Sequence, residues 1–174
     1  MDIALNRIND EVFVATEEIV RLDARAIELV RKHAMQNARG RARICTHKAL
    51  TDPVHEMVIA IRSDSYIRPH RHCSKTESFH LIDGEGQIAI LTDEGEVADV
   101  VALGPGRNFY YRLDSPRYHT LLINSPVLVI HETTNGPFAP GQADLAPFSP
   151  VEEDRATAAD YIDRLRLMVA SWKR

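Results

Sequence analysis

A succession of short apolar runs between residues 41 and 134 constrains the fold of this chain most strongly. The runs are rich in Val, Ile, Tyr and Phe, and turn signals such as Asp83-Gly84-Glu85-Gly86 and Gly104-Pro105-Gly106 separate them. Strands at this spacing, with no helical pattern between them, are typical of an antiparallel sandwich or barrel rather than of a βαβ sheet. The central part of the chain is therefore predicted to be all β.

Helical patterns flank this β region on both sides. Residues 16–37 carry apolar side chains at three- and four-residue spacing, and Thr16 is placed to cap that helix. After a loop over residues 135–148, Ser149-Pro150-Val151-Glu152 fits a capping box that opens a helix running to about residue 172. These patterns predict one structural domain with three parts: an N-terminal segment and helix (1–40), a β-barrel (41–134), and a loop with a C-terminal helix (135–174).

Composition and charge exclude several classes of partner. The chain has 21 Lys and Arg against 25 Asp and Glu, and no block of like charges, so neither nucleic acid nor an anionic membrane is expected to bind. No apolar run approaches the roughly 18 residues of a membrane span, and the N-terminus lacks a signal-peptide pattern. Cys45 and Cys73 do not make a disulfide framework. We therefore expect a cytoplasmic protein whose partner is a small molecule.

The run from His70 to Glu77 carries the clearest chemistry. His70 and His72 are two residues apart, so in a strand both side chains point to the same face, and a short turn can bring Glu77 back beside them. His119, about forty residues later in a strand-like segment, can supply a fourth donor. Imidazole and carboxylate suit Fe, Mn, Zn or Ni, and four protein ligands leave coordination positions open. The sequence therefore predicts one divalent metal ion at these four residues.

The spacing of this run resembles the first motif of the cupin superfamily. His70-x-His72, four residues, Glu77, six residues and Gly84 match the motif, although Asp64 stands where a glycine usually precedes the first histidine. The resemblance implies a mostly β fold, a single double-stranded β-helix (jelly-roll barrel) with a metal in its mouth.

The second cupin motif is degraded in this chain. Gly106 and Pro116 lie farther apart than the motif requires, Pro116 stands in place of its second glycine, and Asn124 comes one residue late. His119 occupies the histidine position of this motif, and the resemblance therefore implies that His119 is a metal ligand.

A narrower similarity covers residues from roughly 8 to 152. Its segments, in chain order, are Arg41-x-Arg43-x-Cys45-x-His47, Glu56-Met57, Pro69-His70-Arg71-His72, His131-Glu132, Gly136-Pro137-Phe138 and Ser149-Pro150. This order is similar to that of the WbuC-type cupin-fold metalloproteins, which are found among bacterial surface-polysaccharide genes. The resemblance implies the barrel and its metal but supplies no reaction.

Residues Arg41, Arg43, Cys45 and His47 alternate with small or apolar ones and would share one face of a strand at the edge of the barrel. That face either meets solvent or looks into the barrel mouth, where arginine would hold an anionic group of a substrate. The WbuC-type resemblance favours the second interpretation, with Arg41, Arg43 and His47 as candidate substrate-binding residues.

Three further residues are candidates for contact with a ligand. Tyr66 and Arg68 alternate with the histidine pair and share its face if the strand is regular. Tyr66 could equally be a core residue. His131 and Glu132 occupy opposite faces of one strand, so Glu132 is either a surface carboxylate or a general base beside the metal.

The leading functional hypothesis is a small-molecule metalloenzyme, an isomerase or a lyase, acting on an anionic substrate, with sugar-derived compounds of surface-polysaccharide biosynthesis among the candidates. Two alternatives stay open, namely a non-catalytic metal-dependent binding or sensor module and an Fe(II) dioxygenase. An inward-facing acid or base close to the metal would favour an enzyme over a binding module. We also expect a homodimer, since small barrels often pair through edge strands or flanking helices.

Overall fold

Two β-sheets form the body of the molecule, and one helix packs on the outer face of each. The computed structural model describes residues 3–139, 141 and 143–173. The strands are β1 (Leu5–Arg7), β2 (Val12–Ala15), β3 (Arg41–Cys45), β4 (Val54–Arg62), β5 (His70–His72), β6 (Glu77–Asp83), β7 (Gly86–Leu91), β8 (Val97–Leu103), β9 (Tyr110–Leu113), β10 (Tyr118–Ile123), β11 (Val127–Asn135) and β12 (Ala143–Leu145). The helices are α1 (Ala24–Gln36) and α2 (Arg155–Ser171).

The larger sheet has seven strands in the order β1-β2-β3-β4-β11-β6-β9, and the smaller has five in the order β12-β5-β10-β7-β8. Neighbouring strands of the described residues pair antiparallel, apart from the parallel pair β2–β3. Many neighbours in these sheets are distant in sequence, as in a jelly roll. The predicted fold class, a mostly β barrel with an N-terminal and a C-terminal helix, is confirmed.

The side-chain alternation along β11 shows how the core is divided. Leu128 and Ile130 point into the space between the sheets, where they belong to the main apolar cluster. Val127 and Val129 point the other way and pack under α1. A third cluster lies between α2 and the outer face of the smaller sheet. Because successive side chains of a strand alternate, Glu132 continues the inward series of Leu128 and Ile130.

The first helix begins later than the sequence pattern predicts. Thr16 is not its cap: the chain is still leaving β2, and α1 begins at Ala24 after Asp23, whose carboxylate accepts a hydrogen bond from the backbone N–H of Arg25. Asp is as good an N-cap as Thr, and the apolar residues between them extend the periodic pattern without being helical. The residues before α1 instead add β1 and β2 to the larger sheet, so β3 is not the edge strand expected from the sequence.

The second helix also begins later than predicted. Its N-cap is Asp154, whose side chain accepts a hydrogen bond from the N–H of Thr157. The predicted capping box is wrong because its two members are engaged elsewhere: the Ser149 hydroxyl donates to the carbonyl of Ala146, and Glu152 forms ion pairs with arginines. The predicted loop before it contains β12, which pairs with β5. Neither helix has the length and apolar composition needed to cross a membrane.

Candidate metal centre

The two sheets bring four side chains together at one point between them. His70 and His72 lie on β5, and His119 lies on β10 directly opposite His70 in the pairing of these strands. Glu77 reaches the same point from the first position of β6 in the other sheet. One donor atom from each of these four residues lies within 4.8 Å of all the others. The cluster thus joins the predicted ligands into one site.

Distances inside the cluster suit the coordination of a single cation. The Oε2 atom of Glu77 lies 3.1 Å from Nε2 of His119, and its Oε1 atom lies 3.7 Å from Nε2 of His72. The rings of His70 and His119 have centroids 4.6 Å apart. Three imidazoles and one carboxylate are a donor set for a divalent transition metal and leave coordination positions for a ligand.

Backbone carbonyls orient two of the imidazoles. Nδ1 of His70 lies 2.9 Å from the carbonyl oxygen of Arg68, and Nδ1 of His119 lies 3.0 Å from that of Arg117. A carbonyl can only accept, so each Nδ1 carries the proton and each Nε2 is left to bind a cation, an arrangement common for metal-ligating histidines. Nδ1 of His72 is buried and has no hydrogen-bond partner among the described residues, so that ring can present either nitrogen.

Burial and the contacts between the cluster residues shift the pKa values of three of them. Burial lowers the pKa of His70 to about 4, so this ring is neutral at pH 7. Burial alone would raise the pKa of Glu77, but hydrogen bonds from His119 and His72 outweigh it, and the net pKa is lowered. Burial would lower the pKa of His119, yet the Glu77 carboxylate raises it overall. His119 and Glu77 thus shift each other's pKa in opposite directions through their direct contact. The residues fit a divalent metal ion.

A cavity of about 250 Å³ opens from the cluster. Apolar side chains form much of its wall, namely Ile59, Ile61, Ile67, Phe79, Ile88, Leu121 and Ile130. Its polar residues besides the cluster are Glu11, Arg39, Arg41, Arg43, Thr120 and Glu132. The cavity thus combines the four candidate metal ligands with three guanidinium groups and two further carboxyl groups, those of Glu11 and Glu132, in a largely apolar space.

Glu132 faces into this cavity rather than solvent. It lies on β11 opposite Phe79 of β6, and what remains accessible of it lines the cavity. Its neighbour His131 lies on the outer face, with Nε2 3.8 Å from Oε1 of Glu56. Burial, and next the charge of Glu77, raise the pKa of Glu132 to about 8. The carboxyl group is therefore protonated at neutral pH, and a cation at the cluster would lower its pKa again.

The face of β3 that carries Arg41 and Arg43 points into the barrel. This is the second of the two interpretations of the sequence, the first being that the face meets solvent. Arg41 and Arg43 line the cavity, whereas the intervening Ala42 also belongs to the apolar cluster under α1. His47 does not join them, because β3 ends at Cys45 and the chain turns. The ring of His47 stacks on that of His55 with centroids 4.0 Å apart, away from the cavity lining. The predicted role of His47 in substrate binding is therefore not supported by its position.

Tyr66 and Arg68 also lie outside the cavity lining. The residues before His70 are not in a strand, so the alternation on which this prediction depended does not apply to them. The Tyr66 hydroxyl donates to the carbonyl of Pro150 at 2.9 Å, and the Arg68 guanidinium donates to Ser149 and Ala146. Both residues tie the loop before α2 to the barrel.

The sequence analysis did not predict that three further residues lie at the cavity mouth. Arg39 and Glu11 line the cavity, and Glu152 forms ion pairs with Arg39 and Arg41 there. Glu11 precedes β2 and Arg39 follows α1, so they meet only because β2 pairs with β3. No local sequence signal predicts that pairing.

Comparison with known proteins agrees with this architecture. A protein-family model described as a domain of unknown function (DUF6016) matches residues 22–103, which include His70, His72 and Glu77 but not His119. No curated protein sequence matches the chain. Protein SO0799 from Shewanella oneidensis is 14% identical, with a TM-score of 0.55 over 78% of this chain and 92% of that one.

Two other solved structures are similar to the chain at comparably low identity. The capsular polysaccharide assembling protein CapF from Staphylococcus aureus is 15% identical, with a TM-score of 0.53 over 63% of this chain and 30% of CapF. A cupin 2 conserved barrel domain protein from Rhodopseudomonas palustris is 11% identical, with a TM-score of 0.48 over 77% of this chain and 80% of that one. The barrel fold is thus shared with SO0799 and CapF. At these identities the likeness concerns the fold alone, and the narrower WbuC-type resemblance stays a prediction.

Proposed function

We propose that this cupin barrel is a metal-dependent enzyme that moves a proton on a small anionic substrate, as an isomerase or a lyase does. The observation that carries this proposal is the position of Glu132. It is an inward-facing carboxyl group in the same cavity as the four candidate metal ligands, where burial raises its pKa above that of an ordinary Glu and a bound cation would lower it toward neutral pH. A general acid or base works best when its pKa is close to the working pH. A module that only bound a ligand would not need such a group.

The remaining cavity residues have complementary roles in this proposal. A bound divalent cation would supply Lewis-acid chemistry toward an oxygen of the substrate. Arg43 would hold the anionic group, because its planar guanidinium matches a carboxylate or a phosphate. The isoleucines of the wall exclude water and so strengthen both interactions. A cavity of about 250 Å³ admits only a small molecule, or one end of a larger one.

A sugar-derived substrate and a role in surface-polysaccharide biosynthesis are the finer part of this proposal. They rest on the WbuC-type resemblance of the segments around Arg41, His70 and His131. Pairing of the protein as a homodimer is likewise proposed, because β9 and β8 leave open sheet edges in the described part of the chain.

The proposal is tested by proton exchange. Metal-loaded protein is incubated in D2O with a panel of sugar acids and other small carboxylates, and ¹H NMR follows deuterium incorporation and product formation. We expect Glu132→Gln to slow the reaction at least about 100-fold while the bound metal is retained. Glu56→Gln, on the outer face of β4, is the matched control and should leave the rate unchanged.

Other outcomes would assign a different function. Equal rates for wild type and Glu132→Gln would exclude Glu132 as the proton-transfer group. Tight binding of a panel member without conversion would identify a binding module. Oxygen consumption that requires Fe(II) would identify a dioxygenase.

A further inference from the structure

A carboxylate from the C-terminal part of the chain lies on arginines at the cavity mouth. Residues 149–154, which we call the strap, form the last part of the connection between β12 and α2 and include Glu152. Its two carboxylate oxygens lie 2.8 Å from Nε and 3.0 Å from Nη2 of Arg39, a bidentate ion pair. Oε1 of Glu152 also accepts a hydrogen bond from Nη2 of Arg41. Glu152 thus occupies two guanidinium groups at once.

The barrel holds the strap in this position through its backbone. The hydroxyl of Tyr66 donates to the carbonyl of Pro150 at 2.9 Å. The guanidinium of Arg68 donates to the hydroxyl of Ser149 at 3.1 Å and to its carbonyl at 3.2 Å. Ser149 and Pro150 come shortly before Glu152 in the chain. Because hydrogen bonds to the barrel fix these two residues, they also hold the Glu152 carboxylate at the cavity mouth.

The charges at the mouth do not cancel. Three guanidinium groups, those of Arg39, Arg41 and Arg43, line the cavity. Two carboxylates pair with them: Glu152 with Arg39 and Arg41, and Glu11 with Arg39 at 2.9 Å. Arg43 forms no side-chain ion pair or hydrogen bond within residues 3–139, 141 and 143–173. Among these five side chains one positive charge is therefore left over, and it belongs to Arg43, the arginine nearest Glu132 along the inner face.

We propose that Glu152 selects among ligands by their charge. It makes the cavity prefer molecules with one anionic group over molecules with two. Glu152 forms ion pairs with Arg39 and Arg41. Of the three guanidinium groups, that of Arg43 is therefore the one without an ion pair among the described residues, and it is available to a ligand. A second anionic group would lie near the Glu152 carboxylate in a space of about 250 Å³, where it would be repelled and poorly solvated. This inference rests on the anion site of the proposed function but does not require turnover.

The selection is measured with two probes that have nearly the same shape, succinamate with one negative charge and succinate with two. Calorimetric titration of the metal-loaded protein at pH 7.5 gives their dissociation constants. We expect wild type to bind succinamate about tenfold more tightly than succinate, and Glu152→Gln to bind succinate at least as tightly as succinamate. Glu153→Gln is the matched control, since Glu153 is an exposed residue of the same strap, and it should behave as wild type.

A second variant guards against loss of the strap structure. Glu11→Gln removes the other carboxylate at the mouth without touching the strap, so it should also shift the preference toward succinate. Unchanged preference in both Glu152→Gln and Glu11→Gln overturns the proposal, as does failure of wild type to bind succinamate at 10 mM. Charge selection without turnover would uphold this inference and refute the enzymatic proposal, whereas turnover that depends on Glu132 without charge selection would do the reverse.

Discussion

The Nε2 atom of His119 lies 3.1 Å from the Oε2 atom of Glu77, and this contact joins the two sheets of the barrel. His119 belongs to the five-stranded sheet and Glu77 to the seven-stranded one, and both side chains are almost fully buried. A buried ion pair of this kind costs desolvation energy that is recovered only with good partners. In this barrel the same pair provides half of the donor set for a cation.

His119 should therefore be indispensable for metal affinity. Loss of an outer residue that only orients a ligand typically weakens binding 10- to 100-fold, so Ala in place of a ligand should weaken it more than about 100-fold. Competition with a chromophoric chelator measures the affinity. His131→Ala, on the outer face of β11, is the control and should bind as wild type. Equal affinities of His119→Ala and wild type would show that the cation, if bound, uses other ligands.

Glu132 should make the metal-free protein less stable as the pH rises. Its pKa is about 8 in the folded protein against 4.5 for an ordinary Glu, so the folded state holds an extra proton between these values. The stability that this group contributes is complete below pH 4.5 and is lost as pH rises through 8. Glu132→Gln lacks this loss and should be the more stable protein at pH 8.5, by on the order of 2 kcal/mol.

Urea unfolding of chelator-treated proteins between pH 5 and 8.5 tests this expectation. The two proteins should converge in stability toward pH 5. A difference between them that stayed constant over the whole range would show that Glu132 does not titrate as described.

Gly84 should tolerate no side chain. Its φ is +89°, and a Cβ atom there would lie 2.5 Å from the carbonyl oxygen of Val127 and 2.6 Å from Oγ of Ser125. Gly106 also has a positive φ, +71°, but a Cβ atom there would meet nothing within 4 Å. We expect Gly84→Ala to lower the free energy of unfolding by about 3 kcal/mol and Gly106→Ala by about 1 kcal/mol. Equal losses in urea unfolding would contradict the steric argument.

The sequence predicts the local half of the metal site well. His70 and His72 need only strand alternation to share a face, and Glu77 needs only a short turn to return to them. His119 is different, because its place depends on the pairing of β10 with β5, a contact between distant parts of the chain. A histidine in a strand-like segment made His119 a candidate, and the family resemblance supported it, but no local spacing places it beside the other three residues.

The places where the structure departs from the sequence pattern share a physical cause. Tyr66 and Arg68 would share the face of His70 only in a regular strand, and β5 begins at His70. Glu152 matches a capping box by residue type, but ion pairs with Arg39 and Arg41 engage it instead. In each case a tertiary contact decides between two local possibilities that the sequence leaves equal.

The central claim, that this barrel holds one metal ion at His70, His72, Glu77 and His119, is tested most directly by metal content. Inductively coupled plasma mass spectrometry of protein purified without added metal should find about one equivalent of a divalent transition metal in wild type. The same measurement should find far less than one in His70→Ala. Well under one equivalent in wild type, together with no change in His70→Ala, would contradict the metal site and the function built on it.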